Sequence, residues 1–196
     1  MEKGIVATNV CVNFINMTDI EKQFEIRLHD PFDWIYSAKK HLISAKCIEK
    51  RMLEIIEVDF DLNDENSNLE FQALMNSCLF LVGIGLENAI KGYIVAQKPN
   101  FKNIKELNDY KWGKLSGHGI SVMFEYNCPE IYSANKDYFN RIQEYLIWIG
   151  KYSTPKKSEF LLLSNEYFVD DVSKASTITS KIEEIILKMN IPFYNG

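Results

Sequence analysis

Four polar residues interrupt apolar stretches of this 196-residue chain and carry side chains suited to acid–base or phosphate chemistry: Glu87, Lys91, His118 and Arg141. A carboxylate can hold a histidine in one tautomer, so Glu87 and His118 could form an acid–base pair or simply a hydrogen bond that locks two helices together. Lys91 and Arg141 could stabilise phosphate charge. We therefore take Glu87 and His118 as candidate catalytic residues, and Lys91 and Arg141 as candidate ligand-binding residues.

A second candidate binding segment follows Trp148. The side chains of Lys151 and Tyr152 could pair with the charge of a nucleotide and stack on its base, and Trp148 could add a second ring. Aromatic residues at helical spacing are more often part of a core, which is the alternative for Trp148.

Composition and missing motifs exclude several functions. The net charge of −5 argues against a broad basic surface of the kind that holds non-specific nucleic-acid binders, although a local basic patch is compatible with it. The four cysteines form no CxxC pair and the three histidines have no metal-ligand spacing, so we expect neither a zinc site nor a disulfide framework. No phosphate-binding glycine loop or GxSxG motif is present, and we expect no metal and no cofactor.

The acidic segment "DFDLNDENSNLE" partly matches a calcium-binding EF-hand loop. Asp59, Asp61, Asn63 and Glu70 fall at its first, third, fifth and twelfth positions, but Asp64 replaces the glycine of the sharp turn. A solvated loop is the simpler interpretation.

Hydrophobic spacing predicts the elements that position these residues. Asp30 as N-cap and Pro31 at the first helical position predict a helix start, and apolar residues three or four apart extend this helix over residues 31–57. A second long helix, about 70–97, is apolar on two faces. Glu87 and Lys91 lie on the second of these faces at i and i+4, where they can form an intrahelical ion pair that is shielded together.

The remaining pattern predicts a short helix after His118, a helix over about 137–150 that Gly150 ends, and a final helix over about 171–189. Alternating apolar residues between positions 5 and 28 instead favour a short N-terminal β-hairpin with its turn near residues 16–19. We therefore predict one domain over residues 1–196, an all-α antiparallel bundle of about five helices, with residues 1–29 as an N-terminal extension.

Three segments in order, "FLVGIGLENAIKGYIVAQKP", "GHGISVM" and "RIQEYLIWIGKYSTPKK", resemble the HEPN-like helical proteins of bacteria. The resemblance covers about residues 30–190. It implies an all-α bundle, frequently dimeric, in a superfamily rich in RNA-cleaving toxins, antiphage systems and their inactive relatives.

The chain departs from the nuclease pattern of that superfamily, in which an arginine is followed four to six residues later by a histidine. None of its three arginines has a histidine at that spacing, and Arg141 is followed by "IQEYLI". The expected function is therefore a non-catalytic binding or regulatory module for RNA or a nucleotide, in a defence or toxin–antitoxin setting. The alternatives are a divergent metal-independent ribonuclease that uses His118, and a purely structural protein–protein interaction domain.

We expect a cytoplasmic homodimer with no membrane association and a possible cognate protein partner. The apolar stretch 78–95 is the sole membrane candidate in the sequence, but Glu87 and Lys91 near its centre would be costly in lipid. No secretory signal is recognisable at the N-terminus.

Overall fold

The computed structural model describes residues 17–57, 65–97, 106, 119–146 and 170–189. Within these ranges it contains seven helices and no strand, which confirms the all-α prediction. The helices are α1 (Met17–His29), α2 (Pro31–Glu57), α3 (Glu65–Gln97), α4 (Ile120–Asn127), α5 (Pro129–Ser133), α6 (Lys136–Glu144) and α7 (Asp171–Lys188).

The prediction of an N-terminal β-hairpin is wrong for residues 17–28, because these residues belong to helix α1. Residues 1–16 lie outside the described part of the chain. Phe24 and Leu28, which are part of the alternating pattern, are four residues apart and therefore also fit one face of a helix. Leu28 is 4% exposed, and the indole Nε1 of Trp34 donates a hydrogen bond to its carbonyl oxygen at 3.2 Å. The packing of the end of α1 on the start of α2 thus explains why this segment forms a helix and not a hairpin.

The predicted start of α2 is confirmed in detail. The backbone N–H of Phe32 donates to the Asp30 Oδ1 atom at 2.9 Å, as expected of an N-cap, and Pro31 occupies the first helical position. The observed range, Pro31–Glu57, is the predicted one, and α7 likewise begins at the predicted Asp171. The second long helix begins at Glu65, five residues earlier than the predicted residue 70.

Helix α3 is the centre of the fold. It packs against α2, α4, α6 and α7, and its buried residues run from Met75 to Val95. By length and composition it is the one described helix that could cross a membrane, a test that the core helix of a soluble protein also passes. Fourteen residues of α3 are buried within the protein.

Small residues set the distance between α2 and α3. A Cβ atom built on Gly92 would lie 2.9 Å from the carbonyl oxygen of Pro31, and one on Gly85 would lie 3.0 Å from the side chain of Leu42. Further along, the Cys78 thiol donates to the carbonyl oxygen of Ala45 at 3.5 Å. The two helices therefore approach each other closely at these small residues.

Candidate functional site

Glu87 and Lys91 form a buried ion pair within α3. The Nζ atom of Lys91 donates to Glu87 Oε1 at 2.5 Å, and the two side chains are only 7% and 8% exposed. Lys91 Nζ also lies 5.8 Å from the centre of the Trp34 ring, at the start of α2. The predicted intrahelical pair, shielded on the second face of α3, is confirmed.

Arg141 forms a second buried ion pair, with a residue that the sequence did not suggest. Its two terminal nitrogens donate to the two carboxylate oxygens of Asp171 at 2.8 and 2.5 Å. The Tyr138 hydroxyl donates to the backbone carbonyl oxygen of Asp171 at 2.7 Å. Burial, followed by the nearby charge of Asp171, raises the pKa of Tyr138 well above its usual value, so the hydroxyl stays protonated. Arg141 thus fastens α6 to the first residue of α7.

The two ion pairs lie on different helices. Glu87 and Lys91 pair within α3, whereas Arg141 of α6 pairs with Asp171 of α7. The structure therefore brings Glu87 and Lys91 together and gives Arg141 a separate, equally buried partner.

His118, Lys151 and Tyr152 lie outside the described residues, as does Trp148, and their predicted roles stay predictions. The helix predicted after His118 is confirmed as α4, which begins at Ile120. The backbone N–H of Ser121 donates to Gln143 Oε1 at 3.0 Å, which holds the start of α4 against α6.

An open cleft lies between α1, α2 and α3, and Trp34 is part of its lining. Its volume is about 430 Å³. It combines aromatic rings with cationic and polar side chains and one carboxylate, and the lining residues that matter for chemistry are Phe24, Arg27, Asp33, Trp34, Tyr36, Lys40, His41 and Asn88.

The aromatic and cationic groups of this cleft are exposed and close together. Tyr36 is 61% exposed, and the Nζ atom of Lys40 lies 4.3 Å from the centre of its ring. Arg27 makes a loose ion pair with Asp33 at 3.9 Å, with its own side chain 74% exposed. Such rings can stack on a nucleobase, and such cations can attract phosphate.

The sequence reasoning missed this cleft. The signal was present in "WIYSAKKH", residues 34–41, where Tyr36, Lys40 and His41 fall away from the apolar stripe of α2. The apolar spacing of this segment indicates only its core-facing residues, and the third wall of the cleft comes from α1, for which the sequence predicts a hairpin.

No group of three or more potential metal-ligating side chains occurs in the described ranges. Of the partial EF-hand match, Asp59, Asp61 and Asn63 lie outside those ranges. Glu70 belongs to α3, and its Oε1 atom accepts a hydrogen bond from Arg51 at 3.1 Å.

Comparison of the chain with protein-family models, curated proteins and solved structures finds no match to any of them.

Proposed function

We propose that this protein is a non-catalytic, HEPN-like antiparallel helical bundle that binds single-stranded RNA or a nucleotide in the cleft between α1, α2 and α3. The observation that carries the proposal is the exposed Tyr36 ring with Lys40 against it, inside a cleft that is large enough for a nucleobase. Single-strand binders combine stacking platforms of this kind with nearby positive charge.

The two buried ion pairs support the non-catalytic part of the proposal. Glu87, Lys91 and Arg141 have relative exposures of 6%, 5% and 8%, and their charged groups are bonded to one another or to Asp171. A general acid or base must come within hydrogen-bond reach of a substrate. Arg141 instead joins α6 to α7, which is a role that buried ion pairs serve in other proteins, and the Glu87–Lys91 pair lies within α3.

The proposal also covers the oligomeric state, the location and the biological role of the protein. We expect a cytoplasmic homodimer that works in a defence or toxin–antitoxin system, with a cognate protein partner. The support for these points is the HEPN resemblance of the three quoted segments, and sedimentation of the purified chain tests the oligomeric state.

The test is binding of a fluorescently labelled single-stranded RNA in excess EDTA, measured by fluorescence anisotropy. Tyr36→Ala should weaken binding by about 1–3 kcal/mol, or roughly 5- to 150-fold, because it removes one stacking platform. Tyr126→Ala is the matched control, since Tyr126 lies on α4 and is 65% exposed against 61% for Tyr36.

Equal losses in the two tyrosine variants, or no binding by the wild type, would contradict the proposal. The same mixture is run on a gel with wild type and His118→Ala. Cleavage that disappears in the histidine variant would establish a metal-independent ribonuclease in its place.

A further inference from the structure

One polar residue in the middle of α3 has a side chain that the fold does not use. The apolar segment 80–95 carries three charged or amide side chains, those of Glu87, Asn88 and Lys91. Glu87 and Lys91 satisfy each other in their buried ion pair. Asn88 is half-buried, and its carboxamide makes no hydrogen bond to a residue of the described ranges. Asn88 is therefore the polar group of this segment that stays available to a ligand.

Two other asparagines show what a carboxamide does when it serves the fold. Asn127 Nδ2 donates to the carbonyl oxygen of Met123 at 2.8 Å, and Asn135 Nδ2 donates to that of Ile131 at 2.8 Å. Asn88 makes no such bond and instead lines the cleft between α1, α2 and α3. A half-buried amide that lacks a protein partner gains free energy from a ligand that pairs with it.

The contact between α2 and α3 places Asn88 beside the stacking ring of the cleft. A Cβ atom built on Gly92 would lie 3.2 Å from the Trp34 side chain, and one on Gly85 would lie 3.4 Å from the carbonyl oxygen of Ala38. Asn88 lies between these two glycines on α3. It is therefore next to the turn of α2 between those two contacts, which carries the proposed stacking residue.

A carboxamide beside a stacked base can pair with the edge of that base, because it presents an acceptor and a donor side by side. Adenine presents an amino donor next to a ring-nitrogen acceptor on two edges, at N6 with N7 and at N6 with N1. It can thus form two hydrogen bonds with a carboxamide whichever of these edges faces α3. Guanine offers only acceptors, O6 and N7, on the corresponding N7 edge, and pyrimidines lack that edge and have a smaller ring to stack.

We infer that Asn88 is the specificity-determining residue of the cleft, and that its carboxamide selects adenine as the base that stacks on Tyr36. The inference rests on the proposed function, because it assigns the base that the cleft takes. Stacking and charge attraction alone tolerate any sequence. The pair with Asn88 adds a preference for one base, while Arg27 and Lys40 remain for the phosphates.

The preference is measured with labelled oligouridylates that carry one central adenine, guanine or cytosine, by fluorescence anisotropy in excess EDTA. The wild type should bind the adenine strand roughly 5- to 150-fold more tightly than the guanine strand, which is the effect of one bidentate pair. Asn88→Ala should bring this ratio close to one. A general loss of stability would weaken the binding of both strands and leave their ratio in place.

Asn76→Ala is the matched control. Asn76 is also a half-buried asparagine of α3, but it lines a separate groove with Phe80 and Leu81. It lies twelve residues, or about 18 Å, from Asn88 along the helix. Asn76→Ala should therefore keep the wild-type ratio of adenine to guanine binding.

Asn88→Asp gives an independent readout in a side chain of the same shape. A carboxylate only accepts hydrogen bonds, so it loses the bond to the adenine ring nitrogen. Guanine has two adjacent donors, N1–H and the N2 amino group, and both can pair with a carboxylate. The preference should thus shift from adenine towards guanine, and this shift remains measurable if Asn88→Ala does not fold.

The outcomes separate this inference from the proposed function. Equal binding of all strands by the wild type, or the same ratio in Asn88→Ala as in Asn76→Ala, would overturn the role of Asn88 and leave the proposed function standing. A wild-type preference for another base would overturn the assignment of adenine. No binding of any strand by the wild type would overturn the proposed function itself.

Discussion

At the scale of single residues, the buried ammonium group of Lys91 depends on its ion pair with Glu87. Replacement of Glu87 by alanine leaves this ammonium group buried beside Trp34 without the carboxylate that it contacts at 2.5 Å. We expect Glu87→Ala to lower the free energy of unfolding by about 3–5 kcal/mol, as measured by urea denaturation. Glu54→Ala is the control, since Glu54 is 48% exposed and pairs with Lys50 at 3.9 Å and with Arg51 at 3.8 Å, so its loss should cost no more than about 1 kcal/mol.

A double replacement separates the charge from the shape of this pair. Glu87→Leu with Lys91→Met removes both charges and keeps an apolar volume, so most of the lost stability should return. An equal loss in Glu87→Ala and Glu54→Ala would show that Lys91 is not held in a buried pair.

At the scale of helices, the contact between α2 and α3 depends on two glycines, one of which faces backbone and the other a side chain. At Gly92 an added methyl group would meet the Pro31 carbonyl oxygen, which is backbone and cannot turn aside. At Gly85 it would meet the Leu42 side chain at 3.0 Å, whereas the nearest backbone atom, the carbonyl oxygen of Ala38, lies at 3.4 Å, an ordinary contact distance.

We expect overpacking in Gly92→Ala to lower the free energy of unfolding by about 1–3 kcal/mol. The higher helix propensity of alanine offsets roughly 1 kcal/mol of this loss. Gly85→Ala should be closer to neutral, because Leu42 can move. Urea denaturation of both variants measures the difference, and a Gly92→Ala protein as stable as Gly85→Ala would contradict the close approach.

The sequence was informative about elements where local signals agree. The Asp30 cap, Pro31 and an apolar stripe together predicted α2 from end to end, since each of these signals acts within a few residues. Helix α1 was missed because Phe24 and Leu28 fit both an alternating and a helical pattern, and packing on α2 decides between the two. Local patterns therefore predicted the bundle better than they predicted its N-terminal edge.

The candidate site was predictable only where both partners lie on one helix. Glu87 and Lys91 are four residues apart on α3, so helical geometry alone brings them together. Arg141 and Asp171 are separated by 30 residues, and nothing in the spacing of the chain indicates that α6 and α7 meet there. The cleft is formed by three helices, so a local sequence pattern is even less able to predict it.

For the whole molecule, the distribution of charge matters more than its sum. The chain carries a net charge of −5, which repels RNA at long range. The exposed side of α2 nevertheless presents Lys40, which lines the cleft between α1, α2 and α3. The proposed binding of RNA would therefore depend on contacts within about a Debye length, roughly 8 Å at physiological salt, of α2.

Charge reversal at two exposed lysines tests this local attraction. Lys40→Glu and Lys136→Glu change the net charge equally, but Lys40 lines the cleft, whereas Lys136 begins α6. We expect Lys40→Glu to abolish measurable RNA binding at 150 mM salt, because a carboxylate would replace the cation beside Tyr36. Lys136→Glu should weaken binding less than about threefold, since salt screens its distant charge. Equal losses in fluorescence anisotropy titrations would instead assign the binding to the overall field of the protein, and the cleft would lose its place in the proposed function.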